Sequence, residues 1–272
     1  MQRATEPTQF SRRQLMALVG VGAAGAVLAG CADGGSVDRP AERAYCVPRG
    51  AVESYRTLAG LPLVYEVNQR RSPFSFEPGF HRQLGAWLES YSAQSGVVEP
   101  DQVWTYGGWI DGGADCDSWH HSGRAFDLGR LRVPGGEFVS CRYDRWQSTT
   151  GAELDRSLRQ YWSLAASLHL HFAYVLTYLY NAAHHNHIHI DNGRSGTELS
   201  TFASRSRVQV QAVQAICTYL WDQPVDITGH WDASTRRASR RALQQAGRSG
   251  DLDDSVDSWR AFLTASVGRG AD

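Results

Sequence analysis

Residues 118–127 read Ser-Trp-His-His-Ser-Gly-Arg-Ala-Phe-Asp, and residues 184–191 read His-His-Asn-His-Ile-His-Ile-Asp. In the first stretch, Gly123 permits a tight turn between His120 and the strand that we predict to carry Asp127. Neighbouring side chains of a strand point to opposite faces, so Asp127 can face a cleft while the residues beside it face the core. The first stretch therefore predicts a histidine and an aspartate at one site.

The second stretch has the alternation of a strand with one buried face. His187, His189 and Asp191 fall on one side, and the two isoleucines between them fall on the core side. Both imidazoles of the pair can bind one metal ion, or one can bind while the other lies beside it, and the spacing leaves both arrangements open. Two histidines and one aspartate leave a fourth position open, as a catalytic zinc site requires. The alternatives are a chance cluster of surface histidines and a structural metal site.

Together the two stretches resemble a family of cell-wall peptidases. The pattern Ser-x-His-x-x-Gly-x-Ala-x-Asp followed by His-x-x-His-x-His is similar to that of the zinc D-Ala-D-Ala carboxypeptidases, the penicillin-insensitive murein endopeptidases and the bacterial extensin-like C-terminal domains. The Hedgehog signalling domain shares their fold. The similar region covers about residues 62–192. The resemblance implies that His120, Asp127 and His189 bind zinc and that Ser118 helps to hold the first motif.

The resemblance also implies roles for two further histidines. His187 would lie next to the open metal position and move the proton, and His184 would line the site and orient the substrate or stabilise the oxyanion. Many carboxypeptidases of this type have a glutamate three residues before the last ligand, where this chain has Asn186. Base function then falls to His187 or is absent. For the substrate-clamping arginine of some members, Arg124 and Arg130 are the candidates.

The first 31 residues predict an export signal that is not part of the fold. Arg12 and Arg13 precede the apolar run 17–29, which is shorter than the about 20 residues that span a bilayer. Such a segment is typical of a secretory signal, and the arginine pair resembles the twin-arginine signal. Leu-Ala-Gly-Cys at 28–31 resembles the lipobox of bacterial lipoproteins. We therefore expect an exported protein that is held to the cell membrane by a lipid on Cys31 and faces the cell wall.

Four further cysteines follow the predicted lipidation site, at positions 46, 116, 141 and 217. An even number outside the cytoplasm predicts two disulfides with three possible pairings. We favour Cys116 with Cys141, because they bracket the first motif and can brace its loop. Cys46 with Cys217 would then tie the start of the fold to its end.

The periodicity predicts an α+β fold, with helices packed on an antiparallel sheet around a zinc cleft and a small all-α module after it. The predicted helices cover residues 80–95, 154–169, 208–221 and 233–246, and the predicted strands cover residues 102–110, 126–133, 138–142, 173–180 and 187–191. The corresponding domains are a twin-arginine lipoprotein signal (1–31), a tether (32–44), a zinc peptidase-like domain (45–200), a peptidoglycan-binding-like helical module (205–247) and a frayed polar tail (248–272).

The predicted module resembles three-helix peptidoglycan-binding modules. Val225-Asp226, Gly229, Trp231 and Thr235 precede its last helix in the order seen there. A helical extension packed on the catalytic domain is the alternative.

The composition indicates a globular protein without a polyanionic partner. Hydrophobic residues make up 42% of the chain and charged residues 20%, and the net charge is -1. We expect peptidoglycan as the partner, with no nucleic acid and no specific protein partner. The predicted function is zinc-dependent hydrolysis of peptide bonds in peptidoglycan stems or cross-links, as a carboxypeptidase or an endopeptidase. The alternatives are a non-catalytic zinc-containing wall-binding lipoprotein and a metallohydrolase acting on a wall polysaccharide or ester.

Overall fold

The computed structural model of the protein describes residues 44–97, 99–112, 116–193 and 199–271. The predicted export signal, Cys31 and all but the last residue of the predicted tether lie outside these residues. Within the described part of the chain, no helix is both long enough and apolar enough to cross a membrane.

Ten strands and six α-helices form in the described residues. The strands are β1 (Glu53–Tyr55), β2 (Thr57–Leu58), β3 (Leu61–Tyr65), β4 (Arg70–Arg71), β5 (Phe74–Phe76), β6 (Gln102–Gly107), β7 (Ala125–Arg132), β8 (Phe138–Ser140), β9 (Tyr174–Leu176) and β10 (Ile188–Asp191). The helices are α1 (Pro78–Gln94), α2 (Tyr143–Trp146), α3 (Ala152–His171), α4 (Arg207–Leu220), α5 (Ala233–Gln245) and α6 (Val256–Val267).

The main sheet has the strand order β2-β3-β6-β7-β10-β9, with β4 paired to β3 and β8 paired to β7. Its pairs are antiparallel except β3 with β6, which is parallel. The predicted α+β class is confirmed, but the sheet is mixed where we predicted it to be antiparallel. The reason is that α1 lies in the connection between β3 and β6, and a crossover of this kind brings the next strand back in the same direction.

The core lies between the sheet and the helices α1 and α3. Trp87 of α1 and Trp162 of α3 are fully buried there, and Trp87 Nε1 donates a hydrogen bond to Ser167 Oγ at 3.0 Å. β7 contributes Phe126 and Leu128 to this core, and β10 contributes its two isoleucines. Burial of each such side chain contributes about 1.5–3 kcal/mol. These apolar residues fix one face of the sheet against the helices. The residues that alternate with them along β7 and β10 therefore lie on the opposite face of the sheet.

The predicted helices are confirmed as α1, α3, α4 and α5. Helix α1 begins at Pro78, two residues before the predicted start, because proline suits the first turn of a helix. Glu77 caps it by accepting hydrogen bonds from the backbone N–H groups of Gly79 and Phe80. Four predicted strands are shorter than expected, since β6 ends at Gly107, β8 ends at Ser140, β9 covers only Tyr174–Leu176 and β10 begins at Ile188. The sequence prediction missed β1–β5, α2 and α6.

The predicted frayed tail after residue 247 is wrong, because it contains α6. Trp259, Phe262 and Leu263 are fully buried, and their spacing places them on one face of this helix. Trp221 of the segment after α4 donates from Nε1 to Ser266 Oγ of α6 at 2.8 Å. Helices α4 and α6 both pack along α3 and share one hydrophobic cluster with the sheet. A separately folded all-α module is therefore not confirmed.

Both predicted disulfide pairings are wrong. Cys46 is bonded to Cys116, whereas Cys141 and Cys217 are free and buried. Cys141 follows β8 and Cys217 lies on the inner face of α4, so each points into the core, where burial raises the thiol pKa. The bond that does form joins the first described residues to the loop before His120.

Candidate metal centre

His120 lies in the short 3-10 turn Trp119–Ser122, which connects the loop after β6 to β7. Ser118 Oγ caps this turn by accepting a hydrogen bond from the backbone N–H of His120 at 3.3 Å, consistent with the role that the resemblance implies. Gly123 ends the turn at φ 74, and a Cβ there would come within 2.6 Å of Val52 Cγ1. Glycine is therefore required at position 123, and the predicted tight turn is confirmed.

Asp127 and His189 are direct partners across the antiparallel pair β7–β10. The side chains of such a pair stand on the same face, with Cβ atoms about 4.5–5.5 Å apart. Their neighbours on both strands face the core, so both polar side chains face the turn that carries His120. The register of β7 and β10 thus brings the two sequence motifs together.

The three side chains present ligand atoms in a small triangle. Asp127 Oδ1 lies 3.2 Å from His120 Nε2 and 2.9 Å from His189 Nδ1, and the two nitrogens are 3.3 Å apart. Ligand atoms of a tetrahedral zinc ion lie about 3.3–3.4 Å from one another, given bonds of about 2.0–2.1 Å. All three residues are buried, and this group can hold a metal ion.

The second nitrogen of each of these imidazoles is also fixed. His120 Nδ1–H donates to the carbonyl oxygen of Gly108 at 2.7 Å, and His189 Nε2–H donates to Asp191 Oδ2 at 3.1 Å. Because these oxygens only accept, the imidazole protons lie on the outer nitrogens, and the nitrogens of the triangle keep their lone pairs when the rings are neutral. Outer contacts of this kind orient metal-binding histidines.

The charges at the centre favour a cation. Burial opposes ionisation of Asp127, but His120 and His187 outweigh it and hold the pKa of this carboxyl well below its usual value. For His189, burial alone would lower the pKa. Hydrogen bonds to Asp127 and Asp191 outweigh this effect and raise the pKa well above its usual value. A proton on His189 therefore competes with a metal ion, so metal affinity should fall as the pH falls.

His187 lies beside the triangle and outside it. Its Nε2 is 3.5 Å from Asp127 Oδ1, and its Nδ1–H donates to Asn186 Oδ1 at 2.6 Å. Burial lowers the pKa of His187, against the opposing effect of Asp127. A neutral imidazole with its proton on Nδ1 has a free lone pair on Nε2, so His187 can accept a proton at this point.

His184 lies further along the same side of the centre. Its ring is 5.2 Å from that of His187 and 6.1 Å from that of His189. Its Nδ1–H donates to Asn181 Oδ1 at 2.7 Å, an oxygen that also accepts from the backbone N–H of Ala183. Burial, with the neighbouring histidines, lowers the pKa of His184 to about 3. The ring is therefore neutral, and its Nε2 is an acceptor.

The other histidines of the two motifs are held elsewhere. His121 Nε2 lies 3.2 Å from Asp117 Oδ1, and the ring of His185 packs against that of Tyr143 at 5.1 Å. Neither belongs to the group that can hold a metal ion.

The two arginine candidates for substrate binding both form ion pairs. Arg130 pairs with Glu66 through two hydrogen bonds of 2.8 Å. Arg124 pairs with Glu77 at 3.4 Å and donates to the carbonyl oxygen of Gly193. Both guanidinium groups are engaged in structural contacts.

The chain was compared with known proteins at three levels. No family model matches it, no curated protein matches it, and no solved structure matches it.

Sequence reasoning missed three residues that shape the centre. Asn181 precedes His184 by three positions and caps the 3-10 turn that carries it, a local pattern that could have been found. The carbonyl of Gly108 has no sequence signature. Tyr106, whose ring lies 5.8 Å from that of His187, reaches the site through an irregularity of β6 that side-chain alternation does not predict.

Proposed function

We propose that this protein is an exported zinc-dependent peptidase, anchored to the membrane through a lipid on Cys31, that hydrolyses peptide bonds in peptidoglycan stems or cross-links. The observation that carries the proposal is the buried triangle of His120, Asp127 and His189 with both imidazoles oriented from behind. Two imidazole nitrogens and one carboxylate oxygen suit zinc, and three protein ligands leave a fourth coordination position for water. When bound there, zinc would polarise a carbonyl group and lower the pKa of a water molecule.

The residues beside the triangle supply the proton chemistry of the proposed reaction. His187 is neutral and has its Nε2 lone pair next to Asp127, so it is placed to take the proton from the attacking water. Asn186 fixes this tautomer through the hydrogen bond to Nδ1. Since His184 Nε2 is an acceptor, His184 fits the orientation of a substrate N–H better than donation to an oxyanion.

A non-catalytic zinc-containing protein that binds the cell wall is the second candidate. It is favoured by Asn186, which places an amide where many related carboxypeptidases have a carboxylate base. The same triangle would then hold zinc without turnover.

Chelation should separate these two candidates. We expect the full-length protein in detergent to convert purified peptidoglycan fragments into products of defined mass, to lose this activity on zinc chelation and to regain it when zinc is returned. His120→Ala should be inactive throughout, while His230→Ala, which changes an exposed histidine, should behave as wild type. Stoichiometric zinc without turnover of any fragment would favour the binding protein.

Lipid attachment should depend on a single cysteine. Metabolic labelling with a clickable fatty acid should mark the wild-type protein in the membrane fraction and leave Cys31→Ala unlabelled. Replacing Arg12 and Arg13 together by lysine should trap the precursor inside the cell, because the twin-arginine signal requires the pair. Unlabelled wild-type protein in the medium would contradict the anchor.

A further inference from the structure

Strand β6 carries a bulge directly beside the candidate metal centre. Thr105 lies opposite Leu128 and Gly107 lies opposite Asp127, so Tyr106 is an extra residue between two ladder positions. Thr105 Oγ1 fixes the bulge, donating to the carbonyl oxygen of Asp127 at 2.7 Å and accepting from the N–H of Gly107 at 3.0 Å. Bulges re-aim single side chains and are common next to active sites.

The re-aimed side chain lies against the proposed base. The rings of Tyr106 and His187 are 5.8 Å apart. Tyr106 is half-buried, and within the described residues its phenol oxygen has no hydrogen-bond partner. Burial raises the pKa of the phenol despite the opposing charge of Arg142, so the hydroxyl is a donor at neutral pH.

Arg142 also adjoins Tyr106, with its guanidinium carbon 5.7 Å from the ring centre. Asp144 accepts from Nε at 2.8 Å and from Nη2 at 2.7 Å, and Glu66 Oε2 lies 3.5 Å from Nη1. A guanidinium has five N–H donors, and the contacts within the described residues occupy three of them. Two donors therefore remain on a cation that is mostly buried, with 12% of its side chain exposed.

Glu66 explains why this cation stays in place. Its side chain is fully buried and binds both Arg130 and Arg142. It packs so closely against Gly129 that a Cβ there would come within 2.4 Å of Glu66 Oε1. Removing one partner from a buried ion network is costly, so the network holds Arg142 rigidly. A rigid guanidinium loses less conformational entropy when it binds a ligand.

We propose that Tyr106 and Arg142 form a substrate-binding wall of the centre that recognises a carboxylate of the peptide. The wall offers the O–H donor of Tyr106 beside the two remaining N–H donors of Arg142, and a carboxylate, which only accepts hydrogen bonds, matches this set of donors. The ring of Tyr106 lies 5.8 Å from that of His187, and the guanidinium carbon of Arg142 lies 5.7 Å from the ring of Tyr106. At about 3.8 Å per residue, a carboxylate bound by this wall belongs to a residue within about three positions of the scissile bond. The inference rests on the proposed peptidase function and narrows its substrates to acidic peptides.

The test compares the binding of acid and amide forms of one ligand. A synthetic peptidoglycan stem peptide is prepared with free carboxylates, with the C-terminal carboxylate amidated, and with the side-chain carboxylates amidated. Binding to the zinc-loaded full-length protein is measured by calorimetry. We expect one of the two amidated peptides to bind about 10–100-fold more weakly than the free acid, as the loss of a charge-assisted hydrogen bond would cause. The peptide that loses affinity shows which carboxylate the wall recognises.

Two variants test the wall itself. Tyr106→Phe should weaken binding of the free acid by about 3–10-fold, and Arg142→Lys should remove most of the preference for acid over amide, both with unchanged zinc content. Tyr174→Phe and Arg145→Lys, at exposed positions, are the matched controls. The inference would be overturned if the wild type bound the acid and amide forms equally. It would also be overturned if Tyr106→Phe and Arg142→Lys both kept the full wild-type preference for the acid over the amide. A preserved binding preference without hydrolysis would instead overturn the peptidase proposal alone.

Discussion

Alanine in place of His120, Asp127 or His189 should each abolish stoichiometric zinc, whereas the wild type purified without chelator should carry one zinc ion per chain. Each residue supplies one corner of the triangle, whose sides are 2.9, 3.2 and 3.3 Å. Losing a group that merely orients a ligand typically costs about 10–100-fold in metal affinity, so losing a ligand should cost more. Metal content measured by mass spectrometry on each purified variant checks this.

Neighbouring histidines provide the matched controls for the zinc measurement. His121→Ala and His185→Ala should keep full zinc, because their rings contact Asp117 and Tyr143 and lie outside the triangle. Full zinc in His189→Ala would refute the ligand assignment. So would a loss of zinc in His187→Ala as large as in a ligand variant.

Asp191→Asn should lose part of the zinc affinity of the wild type. Asp191 accepts from His189 Nε2–H and so holds the ring with Nδ1 toward the triangle. An amide can still accept that hydrogen bond but carries no charge, so zinc affinity should fall by about 10–100-fold without being abolished. A competition titration against a chromophoric chelator measures it.

The faces of the site strands could be predicted from the sequence, but their register could not. Alternation correctly placed Asp127 and His189 on the side of their strands opposite Phe126 and Ile188, because these apolar residues must be buried in the core. That these two residues stand directly opposite each other depends on the pairing of β7 with β10. This pairing depends on tertiary packing within one hydrophobic core, which no local pattern encodes.

The disulfide and α6 escaped prediction for different physical reasons. The bond between Cys46 and Cys116 depends on how the start of the chain docks on the motif loop, where Val47 N–H donates to the carbonyl oxygen of His121 at 3.0 Å. Spacing along the chain carries no information about that docking. For α6 the signal was present, since Trp259 and Phe262 are spaced for a helix, but the polar residues around them masked it.

His187→Ala should keep zinc and fold but lose about 10²–10⁴-fold in turnover, the usual contribution of a general base. The assignment follows from two contacts and from the burial of the ring. Nδ1–H is held by Asn186 at 2.6 Å, Nε2 lies 3.5 Å from Asp127 Oδ1, and the ring is mostly buried, with 12% of the side chain exposed. The other candidate base is His184. Its Nδ1–H donates to Asn181, and its ring centre lies 6.1 Å from that of His189.

The pH profile distinguishes a lost base from a disturbed site. Burial lowers the pKa of His187 below its usual 6.5, so the base form dominates at neutral pH. In protein kept saturated with zinc, activity should therefore fall as the pH drops through that lowered pKa. In His187→Ala this acid limb should change shape. The matched variant Asn186→Ala removes the hydrogen bond to the ring of His187 but keeps the ring, so the acid limb should remain and turnover should fall less. Undiminished turnover in His187→Ala would move the base to another residue, with His184, His185 and Asp191 the next to test. An acid limb unchanged beside a large loss of turnover would mean that His187 shapes the cleft without carrying the proton.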